Sequence, residues 1–257
     1  MRCLGRAAIL IGIVVALGAS VVPAVADEAA DRNLLAQLGL MRGHLWAGAE
    51  LTRLQDRKQA SLHHHHPMLE IYGGIDADLA ARGLAKLRPA LLALEQVDEA
   101  GGDVATARAA ALASIAEIEV AVAPSSVIVI GALVDMLKQA TLEYAAAYPQ
   151  GRLAELEEYQ DSMGFVVQAT AMFQAVRSDL ARKDAGATAE IEQALGELAT
   201  AWPSIGGQDM AILDAARLQA LADSIDAKAA ASMISRRTSR ASCPSPSSAA
   251  ASCWRPV

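Results

Sequence analysis

Apolar residues that return every third or fourth position constrain this chain more than any other feature. Between Asp31 and Ala60 they fall at Leu34, Leu35, Leu38, Met41, Leu45, Leu51 and Leu54, the spacing of one helical face. Alanine and leucine dominate, aromatics make up 4%, and valine, isoleucine and threonine rarely alternate with polar residues. That pattern favours helices over strands. The same reading places helices near 66–81, 85–99, 104–121, 126–147, 153–182, 187–201 and 209–232, with 202–207 as a loop. Pro67 suits a first turn, so the second of these should begin near His66. Short connections make antiparallel neighbours the economical arrangement, so the expected architecture is all-α, an up-and-down helical bundle over residues 27–232.

The two ends differ from this body. Arg2 and Arg6 precede an uncharged apolar stretch from Ala7 to Val22, and Ala24-Val25-Ala26 supplies small residues before Asp27. Residues 1–26 therefore read as a cleaved secretory signal peptide, with the periplasm as destination; an uncleaved anchor is the alternative. Residues 233–257 bring arginine, serine and proline without periodicity or any acid, and are expected to be a disordered basic tail. A shifted reading frame in a GC-rich gene would produce such a segment, a native tail being the other possibility. Cys3 leaves with the signal and Cys243 and Cys253 lie in the tail, so the body offers neither a disulfide framework nor a cysteine metal site.

Charge narrows the partners. All 29 acidic residues lie between Asp27 and Asp226. Of the 22 basic residues, Arg2 and Arg6 belong to the signal and Arg236, Arg237, Arg240 and Arg255 to the tail, which leaves 16 and a body charge of −13. Nucleic acid and anionic lipid need a basic face and are excluded as partners, whereas cations are admitted. After signal removal no segment is long enough to embed in a membrane, Val127 to Val134 being too short. A glycine-rich phosphate loop, a serine nucleophile elbow, His-Glu-x-x-His and Cys-x-x-Cys-His are all missing, which argues against an enzyme of those classes.

Histidine is where chemistry concentrates. Four of the five histidines form His63-His64-His65-His66, and the fifth is His44, flanked by Gly43 and Gly48. Each of those glycines costs a helix about 1 kcal/mol relative to alanine, which points to close packing, a site or a kink. His63, His66 and Glu70 share a face at three- and four-residue spacing, and His44 meets them if the first two helices form a hairpin. Imidazole with carboxylate suits iron, copper, zinc or manganese, so His44, His63, His66 and Glu70 are the candidate metal ligands. Met41 and Met68 nearby keep copper in view. A solvated histidine loop or a core polar network is the competing reading. Farther on, Glu143-Tyr144 and Glu157-Glu158-Tyr159-Gln160-Asp161 are brought near one another by the Tyr148–Leu153 turn. Beside Glu155, the glutamates Glu157 and Glu158 read more simply as a solvated, dipole-favoured first turn.

Two stretches carry a resemblance. Glu143-Tyr144-Ala145-Ala146-Ala147, Gly151 and Glu158-Tyr159-Gln160-Asp161-Ser162-Met163-Gly164-Phe165 resemble periplasmic regions attached to bacterial Ftr-type iron permeases. Gly43-His44-Leu45, His63, His66-Pro67 and Glu70-Ile71-Tyr72 resemble helical periplasmic proteins related to the imelysin group, which bind or handle iron. The permease's Arg-Glu-Gly-x-x-Glu motif and spanning helices are missing, so this chain is not the transporter. The imelysin-type Gly-x-His-x-x-Glu is also unmatched, because Gly43 directly precedes His44 and Ala47 stands at the glutamate position. The resemblances imply a periplasmic helical protein concerned with metal, with Glu143, Glu158, Tyr159 and Asp161 as secondary candidates.

The expected function is thus a periplasmic metal-binding protein assisting iron or copper uptake, with a membrane metal permease as partner. A metal-free helical scaffold docking on a transporter is the alternative. A di-metal oxidase would need paired Glu-x-x-His motifs, and Met41 and Leu62-His63 stand three before His44 and His65-His66 instead.

Overall fold

The computed structural model describes residues 27–241, with side chains through Ala231; the expected signal peptide and residues 242–257 of the tail lie outside the described residues. The described chain is all-α: α1 (Glu28–Arg53), α2 (Arg57–His66), a π turn (Pro67–Tyr72), α3 (Gly73–Ala81), α4 (Leu87–Glu99), α5 (Val104–Val122), α6 (Ser126–Ala147), α7 (Leu156–Lys183), α8 (Ala185–Ala199) and α9 (Ala215–Ala241). One isolated bridge, Arg152 with Met210, is the sole strand-like pairing among the described residues. No described helix is long and apolar enough to cross a membrane.

Short polar residues set most helix starts. Asp27, Asp56, Asp103, Ser125 and Asp184 each accept a backbone N–H of the turn they open, which satisfies donors that a helix leaves unpaired. The periodic face of α1 is buried throughout, from Leu34 to Leu51. α1 packs on α6 and α7; α6 through α9 pack in sequence, with α9 closing back on α6; α2, the π turn and α4 lie against one another beside α1. Bidentate pairs Arg32–Asp135 and Arg42–Glu119 tie α1 to α6 and α5.

Boundaries of three helices differ from the sequence expectation. The first helix stops at Arg53, not Ala60, because Gln55 takes a φ of +64° and Asp56 then caps a new helix. The second helix does not begin near His66. It begins at Arg57 and runs helically through the histidines and Pro67 to Ala81. Proline lacks an N–H and its ring crowds the carbonyl four residues back, and a wider π turn accommodates both. The last helix starts at Ala215, capped by Asp214, while Leu153 N donates to Asp209 O at 3.1 Å and Ala211 N to Gly151 O at 3.0 Å. The backbone of 209–211 is therefore spent on the 151–153 turn. At its other end α9 continues to Ala241, beyond the expected limit at Ser232.

Candidate metal centre

The centre forms where α1, α2 and α7 meet. His44 comes from α1, His63 and His66 from α2, and Asp161 from α7. All four are buried, and one donor atom from each lies within 4.8 Å of the others. α1 and α7 approach closely at Gly43 and Gly164, the residues next to His44 and three after Asp161. A Cβ on Gly43 would stand 2.9 Å from the Gly164 carbonyl carbon, and one on Gly164 would strike the Gly43 carbonyl. Phe165 closes the apolar side, its ring 5.0 Å from that of His44 and perpendicular to it.

Asp161 is the hub. Its Oδ1 lies 2.6 Å from His44 Nδ1 and 2.8 Å from His63 Nδ1, and its Oδ2 lies 3.2 Å from His66 Nδ1. The Nδ1 atoms of His44 and His66 are themselves 3.2 Å apart.

The outer hydrogen bonds decide what these nitrogens present. Gln160 Nε2 donates to the Ile205 carbonyl at 3.2 Å, which turns Oε1 toward His63 Nε2 at 2.8 Å. In a neutral His63 the proton then sits on Nε2 and a lone pair on Nδ1 faces the carboxylate. His66 Nε2 donates to Glu157 Oε1 at 2.8 Å, with the same consequence for its Nδ1. Acceptors facing one another at hydrogen-bond distance require a cation between them, either a proton or a metal ion. Three imidazoles and a carboxylate, with outward nitrogens already held by protein acceptors, fit a transition metal, since such outer partners orient histidine ligands.

The charges agree with shared protons in the absence of an ion. Burial lowers the His66 pKa, but the hydrogen bond to Asp161 and the charges of Asp161, Glu70 and Glu157 outweigh it and raise it to about 9. Burial would raise the Asp161 pKa, yet the charge of His44 and hydrogen bonds from His44, His63 and His66 hold it well below the usual carboxylate range.

His44, His63 and His66 thus come together as the spacing suggested. Glu70 is at the rim: half exposed, 3.7 Å from His44 Nε2 and 3.8 Å from His66 Nε2. The central carboxylate is Asp161. Glu143 and Glu158 meet beside the centre, where burial, then the hydrogen bond with Glu143, raise the Glu158 pKa to about 7. Tyr159 is buried but its hydroxyl donates to the Ser204 carbonyl, among Tyr144, Tyr148 and Trp202 rather than into the centre. The sequence shows Glu157 and Gln160 only as members of the polar set at 157–161, not as partners of the histidines. Glu157 and Glu158 do stand in the acidic, partly exposed first turn of α7, and the i,i+4 pair Glu157/Asp161 in addition flanks His66 on one face of that helix.

The other two histidines face elsewhere. His64 is buried against Gly48, where an added Cβ would come within 2.5 Å of its ring. Burial lowers its pKa, with Asp98 opposing and Arg108 and His63 adding to the effect.

Comparison with known proteins adds a relation for the second half of the chain. No curated protein and no solved structure matches it. Residues 123–235, which span α6, α7, α8 and most of α9, match the model of the iron permease-associated 4-helix bundle domain. The match takes in Asp161, Glu157 and Gln160, and leaves His44, His63 and His66 outside it. It bears on the permease resemblance and not on the imelysin one, and it relates this chain to the helical regions that accompany Ftr-type iron permeases.

Proposed function

We propose that the protein is a periplasmic metal-binding protein serving iron uptake at a membrane permease, and that His44, His63, His66 and Asp161 hold the ion, with Glu70 and Glu157 at the rim. The observation that carries this reading is the convergence of four buried donors from three helices, with Gln160 and Glu157 fixing the outward nitrogens. The permease-associated match favours iron as cargo, and the nitrogen-rich donor set also admits copper or zinc. The acidic body supports cation attraction.

The test is metal content by mass spectrometry after tag-free purification and reconstitution, for the wild type and for His66→Ala combined with Asp161→Asn. About one equivalent of iron in the wild type and its loss in the double variant supports the proposal. Equal content in both rejects the site. No uptake of iron, copper or zinc by either favours the metal-free scaffold.

A further inference from the structure

Between α8 and α9, residues 203–208 have little backbone structure of their own. One backbone hydrogen bond starts and ends within them, from Gly207 N to Ser204 O at 3.3 Å. Side chains from the end of α6 and the first turns of α7 hold the segment instead. Tyr159 Oη donates to the Ser204 carbonyl at 2.9 Å, Gln160 Nε2 to the Ile205 carbonyl at 3.2 Å, and Tyr148 Oη to the Gln208 carbonyl at 3.0 Å. Just before it, Trp202 Nε1 donates to Ser162 Oγ at 2.7 Å. Positions 159, 160 and 162 thus hold this stretch, while Asp161 between them holds the histidines. The Ile205 side chain is buried with Ala47 and Ala60, which stand three residues from His44 and His63.

Gln160 joins the two systems through one amide. Its Oε1 faces His63 Nε2 at 2.8 Å and its Nε2 serves Ile205. This orientation needs a proton on His63 Nε2, which is where it stays when the Nδ1 lone pair is committed to an ion. A second arrangement needs no change of charge. Neutral His63 with its proton on Nδ1 donates to Asp161 Oδ1, already 2.8 Å away, and turns a lone pair toward Gln160. Gln160 answers by presenting its own Nε2, and the half-turn of the amide places Oε1 against the Ile205 carbonyl. Two acceptors then meet without a hydrogen between them, and the segment loses that clamp.

We propose that residues 202–208 form a strap that reads occupancy of the four-donor centre: Gln160 clamps Ile205 when His63 holds an ion and releases it when His63 does not. The inference rests on the metal-binding reading given above. A segment with so few bonds of its own belongs to the low-stability part of a fold, so the loss of one clamp changes how often it opens. Ligation at His63 and closure of the strap favour each other by the same factor, as coupled equilibria must.

Amide hydrogen exchange, read by mass spectrometry on peptides covering 202–208 in chelator-treated and zinc(II)-saturated protein, tests this, with native mass spectra giving the occupancy. In the wild type, exchange of the segment should slow about fivefold on loading, what one hydrogen bond of ordinary net strength is worth, while peptides of α4 change less. Gln160→Met, brought to full occupancy with excess zinc, should lose the difference. Equal exchange in loaded and metal-free wild type overturns the strap and leaves the metal-binding reading standing, and so does full slowing in loaded Gln160→Met. Where Gln160→Met fails to fold or to load, Ile205→Ala decides. This change touches none of the four donors, yet by reciprocity it should raise the zinc dissociation constant several-fold. An unchanged constant overturns the strap. A wild type that binds no zinc, iron or copper overturns both proposals.

Discussion

Asp161 and His66 move stability with pH in ways whose signs are fixed. His66 is raised to about 9 from an ordinary 6.5, so its contribution is complete below pH 6.5 and is lost as pH rises through 9. Asp161 is lowered below 3.8, so its contribution is present above pH 3.8 and is lost only as pH falls through its folded value. Glu158, raised from 4.5 to about 7, favours the fold below pH 4.5 and loses that contribution as pH rises to 7. The metal-free protein should therefore melt at progressively lower temperature between pH 6 and pH 9. A metal ion must displace the His66 proton, so the thermal shift on adding metal should grow over the same interval. Asp161→Asn should flatten both trends and cost about 3–5 kcal/mol, because it strands buried imidazoles without their anion. Melting curves at several pH values, with chelator and with iron, check all three. A metal shift that shrinks as pH rises toward 9 would contradict imidazole ligation.

At the scale of elements, the helices were legible because their apolar spacing and caps are local properties. Leu34 to Leu51 lies on the buried face that its periodicity demanded. Pro67 misled because a proline signals a start only if the preceding turn is not already helical; Asp56 had opened that helix at Arg57. The π turn has its own consequence. It sets the angle at which Glu70 leaves the rod, 3.8 Å from His66. Pro67→Ala should let the rod relax toward a regular α-helix, keep or raise the melting temperature since an interior proline costs about 3 kcal/mol, and weaken metal binding by rotating Glu70 away. A melt paired with a metal titration reads both effects, and unchanged affinity would remove Glu70 from the rim.

Across the whole molecule, the centre lies on a seam. Its carboxylate belongs to the segment that matches the permease-associated bundle, and its imidazoles belong to α1 and α2. Spacing within α2 revealed His63 and His66, because residues three apart on one helix need no tertiary knowledge. Nothing local connects His44 with Asp161, 117 positions away, and only the resemblance brought Asp161 into view. The contact of Glu157 with His66 stayed hidden for a related reason, since an acidic first turn needs no partner to explain it. An ion held across this seam stabilises the association of the two halves by as much as it prefers the joined form.

The contact of Gly43 with Gly164 gives that seam a gauge. Two hydrogen atoms, rather than two side chains, set how near α1 and α7 come, and rotamer changes cannot alter that width. His44 and Asp161 stand beside the gauge, so the diameter available to an ion is machined into the backbone. Gly164→Ala should wedge the helices apart, weaken binding of every ion, and weaken the small ones most, tilting preference from zinc and copper toward manganese. Competition among these ions, measured on the folded variant, reads the tilt; a uniform loss without change of order would mean that side chains, not helix spacing, choose the ion.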